Sequence, residues 1–274
     1  MTEDTQPAAP ADRPLEGRIA LITGASRGLG AAVAERYAMA GAHVILLART
    51  VGGLEETDDR VKAVGGTATL VPHDLADLDK LDSLGQQIYE RFGRLDILVG
   101  NAGLLGNISP MSQQKPRDWD RVMTVNVSAN QRLIRNCEPL LKLSTAGRAI
   151  FVTSRAARRI RGYWGAYATS KAALEAMVKT WAMEIENSRI RANLVDPGAL
   201  RTRMRATAYP GEEKDLQTPP EAIAELFVDL ALPGLTANGE IFVAQTAPQA
   251  PAHGPDHHDH DHHRHDHGPG CGCH

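Results

Sequence analysis

A chain of 274 residues, 42% of them hydrophobic, carries enough apolar side chain for one large α/β domain or two small ones. Aromatics make up only 4%, so the core must be aliphatic, and a formal net charge of −3 excludes the basic excess that non-specific nucleic-acid binding requires. Cysteine is confined to Cys137 in the body and Cys271 and Cys273 at the end, which gives no disulfide framework. There is no basic-then-apolar leader and no apolar run of membrane-spanning length, so the expected setting is the reducing cytoplasm.

Residues 1–14 are acidic and rich in Pro and Ala, and are expected to be a disordered leader. From 15 to 246, short aliphatic runs alternate with longer segments of helical spacing. The runs that predict strands are Ile19–Thr23, His43–Ala48, 68–71, 95–99, 149–153, 191–195 and Ile241–Val243; helical spacing marks 31–40, 76–92, 119–143 and 168–186. With no internal repeat and no second core, the expectation is a single doubly wound, Rossmann-type α/β domain: a seven-stranded parallel sheet flanked by helices. Beyond Thr246 the chain turns to Pro, Gly, His and Asp, and disorder is expected for 247–274.

The first predicted strand runs directly into Thr23-Gly24-Ala25-Ser26-Arg27-Gly28-Leu29-Gly30 and then an Ala-rich helix. Glycines at such a junction allow a tight turn and let the backbone approach a pyrophosphate, which then sits at the positive end of the helix. Glycines also mark ordinary turns, but the placement between strand and helix points to nucleotide binding through Gly24, Ser26, Arg27, Gly28, Leu29 and Gly30. NAD-preferring sites place an acid after the second strand, where it accepts the ribose hydroxyls and repels a 2′-phosphate. Here that strand ends in Ala48-Arg49, and Arg27 adds a second cation. Planar guanidinium forks suit a phosphate, so NADP(H) is favoured over the alternative of two solvated surface arginines.

The spacing T-G-x-x-x-G-x-G resembles the short-chain dehydrogenase/reductase family, and the resemblance extends from about Leu15 to Val243. It implies that Asp74, followed by Leu75, contacts the adenine and that Asn101-Ala102-Gly103 belongs to the cofactor pocket. The family often has another Asn before this motif, where this chain has Gly100. Tyr167-Ala168-Thr169-Ser170-Lys171 opens a helical segment, and residues four apart share a helix face. A neighbouring ammonium favours the phenolate, as acid-base catalysis at neutral pH requires. Ser154 precedes Tyr167 by thirteen residues, the spacing that the resemblance implies for a substrate-polarising hydroxyl. The resemblance also assigns Asn126 a role in securing a water that links Lys171 to solvent. It further places Pro197, Gly198 and Thr202 beside the nicotinamide, although Pro197-Gly198 also reads as a plain turn. The implied chemistry is hydride transfer between NADP(H) and a small-molecule carbonyl or secondary alcohol. Ser154, Tyr167, Lys171 and Asn126 form the catalytic set, with Tyr167 and Lys171 also holding the cofactor.

Specificity is expected from 104–112, 155–165 and 203–219. Arg155, Arg158, Arg159 and Arg161 in one stretch, with Arg201, Arg203 and Arg205 around another, suit either an entrance for anionic substrates or, the favoured reading, solvated and subunit-contact arginines. A homodimer or homotetramer is expected, because Met177, Val178, Trp181, Ala182 and Ile185 carry more apolar surface than one sheet contact needs. In the tail, His257, His258, His260, His262, His263, His265 and His267 alternate with acids before Cys271 and Cys273. Imidazole and thiolate suit divalent metals, but no four-ligand spacing is evident, so loose binding rather than a structural site is expected. Two rival readings are a non-catalytic NADP(H)-binding sensor and a metal-binding protein acting through this tail.

Overall fold

Strands buried on both faces must be largely apolar, and the central strands of the computed structural model obey this, whereas the edge strands Thr67–Pro72 and Ile241–Val243 are only partly buried. The structure describes residues 13–245 apart from 214 and 216; the tail histidines and cysteines lie outside the described residues. The strands are β1 (Ile19–Thr23), β2 (His43–Ala48), β3 (Thr67–Pro72), β4 (Ile97–Gly100), β5 (Arg148–Val152), β6 (Arg191–Asp196) and β7 (Ile241–Val243). All pair in parallel, in the order β3-β2-β1-β4-β5-β6-β7. The expected fold class and strand count are both present.

The helices are α1 (Gly28–Met39), α2 (Val51–Ala63), α3 (Leu78–Leu81), α4 (Leu84–Phe92), α5 (Pro116–Met123), α6 (Ala129–Leu143), α7 (Gly165–Glu184), α8 (Arg203–Ala208) and α9 (Ala224–Ala231). Side chains alternate across the sheet. Ile22, Val44, Leu46, Val99, Ile150 and Val195 face α1 and α9, while Leu21, Ile45, Leu98, Phe151 and Leu194 face α6 and α7. The chain leaves β1 toward β2 and β3, then returns to build β4–β7 on the other side. At that switch the loops diverge from the carboxyl ends of β1 and β4 and leave a crevice.

Three helices escape the periodicity reading. In α2 only Leu54, Thr57 and Val61 are buried, and Gly52-Gly53 stand in its first turn, so its apolar stripe is thin. The short α8 buries nothing, and α9 spans only eight residues. The segment expected as one helix over 76–92 is two, because the chain bends after Leu81 and Asp82 pairs with Arg132 on α6. The segment expected over 119–143 begins at Pro116 and contains a π turn, Thr124–Ser128, between α5 and α6. The apolar residues expected to drive self-association lie mostly inside the protomer: Val178, Trp181, Ala182 and Ile185 are buried against the sheet. No helix among the described residues is long and apolar enough to cross a membrane.

Gly100 has a packing reason. A Cβ there would lie 2.3 Å from Phe151 Cδ1 and 2.8 Å from Asn130 Oδ1, so the Phe151 ring occupies the space that the family's common Asn would need. Gly100→Asn is therefore expected to lower unfolding stability by about 1–3 kcal/mol through overpacking, measured by urea denaturation. Gly100→Asn combined with Phe151→Val is expected to recover part of the loss that Gly100→Asn adds.

Candidate active site

The loop after β1 is shaped by contacts that leave no room for side chains. Gly24 and Gly28 sit at φ +67° and +55°, and a Cβ on Gly30 would lie 2.4 Å from the Gly24 carbonyl oxygen. Gly30 thus forms the floor of the loop rather than a wall of the cavity above it. Thr23, fully buried at the end of β1, accepts hydrogen bonds from the Asn101 and Ala102 amides at 3.0 Å each. Asn101 Nδ2 donates back to the Thr23 carbonyl at 2.8 Å. From α2, Thr57 Oγ1 donates to the Ala25 carbonyl at 2.9 Å. Thr57 was not singled out in the sequence, because its helix shows too thin an apolar stripe there, and Thr23 entered only as the first residue of the T-G-x-x-x-G-x-G spacing, with no contact assigned to it.

Above this loop a cavity of about 800 Å³ runs along the carboxyl edge of the sheet, within the size range of small-molecule and cofactor sites. Of the sequence-derived positions, Gly24, Ser26, Arg27, Gly28, Leu29, Arg49, Asp74, Leu75, Asn101, Ala102, Gly103, Ser154, Tyr167, Lys171, Pro197, Gly198 and Thr202 all line it. Three features fit a phosphorylated dinucleotide. The glycine loop keeps its shape only because Gly30 carries no Cβ, α1 begins without a side-chain cap on its first-turn amides, and His73 Nε2 is buried without a partner among the described residues. Arg27 and Arg49 converge at one end. Arg27 Nη2 lies 3.4 Å from Thr50 Oγ1, and Arg49 makes only a loose, exposed contact of 3.8 Å with Asp74. Arg121 on α5 also approaches Asp74, at 3.5 Å, a cation that the sequence reading passed over.

At the other end stand the hydroxyls and the amine. Ser154 follows β5, and its Oγ accepts from the Ala156 amide at 3.2 Å. Tyr167 and Lys171 are one turn apart near the start of α7, with Lys171 Nζ 5.9 Å from the phenol ring centroid. Lys171 is 3% exposed and donates to the Val152 carbonyl at 2.7 Å. Burial brings its ammonium down to about 8, against a smaller upward pull from Glu175. Burial likewise pushes the Tyr167 phenol above its ordinary value; the Ser154 hydroxyl opposes that rise and Asp196 adds to it.

Asn126 does not reach the cavity. It sits in the π turn, fully buried, with its Oδ1 accepting from the Leu104 amide at 2.7 Å and its Nδ2 donating to the Leu104 carbonyl and Ser170 Oγ, each at 2.9 Å. Asn130 Nδ2 donates to the Asn126 backbone carbonyl at 2.8 Å. Asn126 thus ties the loop after β4 to the helix carrying Tyr167.

The arginine-rich stretches divide residue by residue. Arg158 pairs with Glu175 and Asp196, Arg161 donates to Tyr209 Oη at 3.0 Å, and Arg205 holds Glu212 through two 2.6 Å bonds while stacking on Tyr209. Arg201 and Arg203 are exposed and line the cavity mouth. Trp164 stands edge-on to Tyr167, with ring centroids 6.0 Å apart, and forms the remaining wall with Leu104, Leu105 and Met204. Among the described residues no group of three or more His, Cys, Asp or Glu side chains could hold a metal ion.

The short chain dehydrogenase family profile matches residues 18–213. An uncharacterized oxidoreductase of Escherichia coli K12, YciK, is 39% identical over 217 residues, covering 78% of this chain and 86% of that one. Among solved structures, a short chain dehydrogenase from Shigella flexneri 2a in complex with NADP superposes with a TM-score of 0.82 at 38% identity, over 86% of this chain and all of that one. One from Escherichia coli CFT073 in complex with NADPH gives 0.83 at 38% identity with the same coverage.

Gly30→Ala is expected to abolish NADPH binding, read by nicotinamide fluorescence, because its methyl would drive the Gly24 carbonyl out of position. Gly65→Ala at a turn with open space around it is the control for general strain and is expected to leave binding intact.

Proposed function

The chain belongs to the short-chain dehydrogenase family, and from that premise we propose that it interconverts a small-molecule carbonyl and its alcohol using NADP(H). The observation that carries the reading is that Tyr167, Lys171 and Ser154 share one cavity with the glycine loop. Related chains solved with NADP and NADPH support the choice of cofactor.

When bound, the nicotinamide supplies or receives the hydride. Ser154 holds the substrate oxygen and polarises the carbonyl. Tyr167 gives its phenolic proton to that oxygen in reduction and withdraws it in oxidation. Lys171, kept cationic below about pH 8, lowers the cost of the phenolate and holds the ribose beside it. Asn126 acts as a brace for this group through Leu104 and Ser170. At the far end Arg27 and Arg49 receive the 2′-phosphate, and Asp74 and Leu75 flank the adenine. The substrate meets an apolar wall of Leu104, Leu105, Trp164 and Met204, so its carbonyl is expected to carry an apolar flank. Self-association, in this reading, uses the outer face of α7 around Thr169, Ala172 and Ala173, beside the exposed Ile160 and Tyr163.

Arg49→Ala is expected to erase most of a preference for NADPH over NADH, measured as the ratio of the two Kd values; an unchanged ratio would locate the phosphate elsewhere. Tyr167→Phe is expected to retain NADPH binding while lowering kcat by about 10²–10⁴-fold. The direction of the pH effect follows from Lys171. As pH rises through about 8 the amine loses its proton, so reduction, which draws a proton from this pair, is expected to fall while oxidation gains. Initial rates in both directions across pH 6–10 (roughly two units either side of the Lys171 value) check this.

A further inference from the structure

Behind the Tyr167–Lys171 pair lie three charges that make no contact with the cavity. Arg158 stands in the turn after β5, four residues beyond Ser154. Its side chain is 36% exposed, but the guanidinium reaches inward. One nitrogen donates to Glu175 Oε1 at 2.6 Å, and the other pairs with Asp196 Oδ2. Both carboxylates are buried, at 7% and 2% exposure. Glu175 is on α7, one turn beyond Lys171, and also accepts from Thr153 Oγ1 at 2.7 Å. Asp196 ends β6, where its other oxygen accepts from the Gly198 amide at 3.2 Å. One guanidinium therefore links the turn bearing Ser154, the helix bearing Tyr167 and Lys171, and the strand that leads to Pro197-Gly198.

The charges matter as much as the tethers. Two buried carboxylates beside a tyrosine and a lysine hold protons on both, because negative potential disfavours the phenolate and favours the ammonium. Asp196 does push the Tyr167 phenol upward and Glu175 does push the Lys171 ammonium upward. A single cation seated on both acids opposes both effects. We propose that Arg158 is a positioning residue that sets the proton affinity of the Tyr167–Lys171 pair by neutralising Glu175 and Asp196 behind it. This rests on the reading of Tyr167 as the proton donor.

The other charges near the pair do not take over this task. Arg155 lies on the same turn, and Arg201, Arg203 and Arg205 belong to the connection from β6 into α8, at the mouth of the cavity or paired with Glu212. On α5, Arg117, Asp120 and Arg121 are exposed, and Asp118 receives a hydrogen bond from Asn107. The π turn contributes Asn126 and no charge.

The test is an alkaline titration of the full chain by tyrosinate absorbance, with the Tyr167→Phe curve subtracted to isolate this phenol from the other four tyrosines. It needs no substrate, so it separates the proposal from the question of turnover. Asp196→Asn is expected to lower the Tyr167 midpoint by about half to one pH unit, a three- to tenfold change in phenolate fraction at fixed pH. Arg158→Met is expected to raise it, Arg158→Met with Asp196→Asn to return it toward wild type, and Arg158→Lys to keep it near wild type. A midpoint that stays put in all four variants, whatever happens to their unfolding temperatures, would reduce the cluster to a structural tie and overturn the proposal. If Arg158→Met does not fold, Arg158→Gln, which keeps hydrogen-bond donors but no charge, takes its place: a raised midpoint supports the proposal and an unmoved one ends it.

Discussion

Holding a lysine ammonium inside a protein is costly, since few groups can replace the water it gives up. Lys171 lies within a turn of the Tyr167 phenol, which the proposed function has it influence, and much of the surrounding architecture bears on that burial. The Val152 carbonyl at the end of β5 accepts a hydrogen bond from it, and Glu175 one turn along α7 supplies a compensating charge. The compensation is partial, so the amine stays acidic enough to exchange a proton near neutrality. A fully solvated lysine would hold its proton too firmly to do so, and a fully unpaired one would give it up. Between those limits the pair of Tyr167 and Lys171 has the properties that proton transfer to a developing alkoxide needs.

The rest of the domain supplies rigidity around this point. The reversal of strand order between β1 and β4 opens the crevice, and the close approach of Gly30 to Gly24 makes its floor. Thr23 and Asn101 lock the ends of those two strands to each other through four hydrogen bonds that include backbone partners on both sides. Asn126 performs the same service between the loop after β4 and α7. Its position in a π turn matters, because the extra residue there changes which face of the helix turns inward, and π turns occur often at functional sites.

What could be read from the sequence follows from how local the signal is. The central strands are short apolar runs buried on both faces, the edge strands are β-branched or aliphatic runs between turns, and the glycine loop and Tyr167–Lys171 spacing are local patterns with direct geometric meaning. Helices α2 and α8 were not legible because they have too few buried positions to impose a period on the sequence, and α9 because eight residues, most of them buried, are too short to show one. The role of Arg158 was not legible either. Its partners lie 17 and 38 residues away, and nothing in a run of four arginines distinguishes the one that turns inward. The five apolar residues cited for self-association misled for the opposite reason: a helix against a large sheet can bury more of its circumference than a simple amphipathic stripe suggests. Gly100 looked like a missing contact and is instead the space that Phe151 fills.

The central claim is that this cavity brings a hydride from the nicotinamide and a proton from Tyr167 to one and the same carbonyl. The most direct measurement is the fate of deuterium from NADPH carrying deuterium at both C4 positions of the nicotinamide, followed by mass spectrometry through a panel of ketones and aldehydes with apolar flanks. The account predicts one deuterium on the carbinol carbon of the product, delivered to one face of the carbonyl. NADPH that binds saturably yet leaves every carbonyl unlabelled would contradict it and would recast the chain as a nucleotide-binding protein without this chemistry.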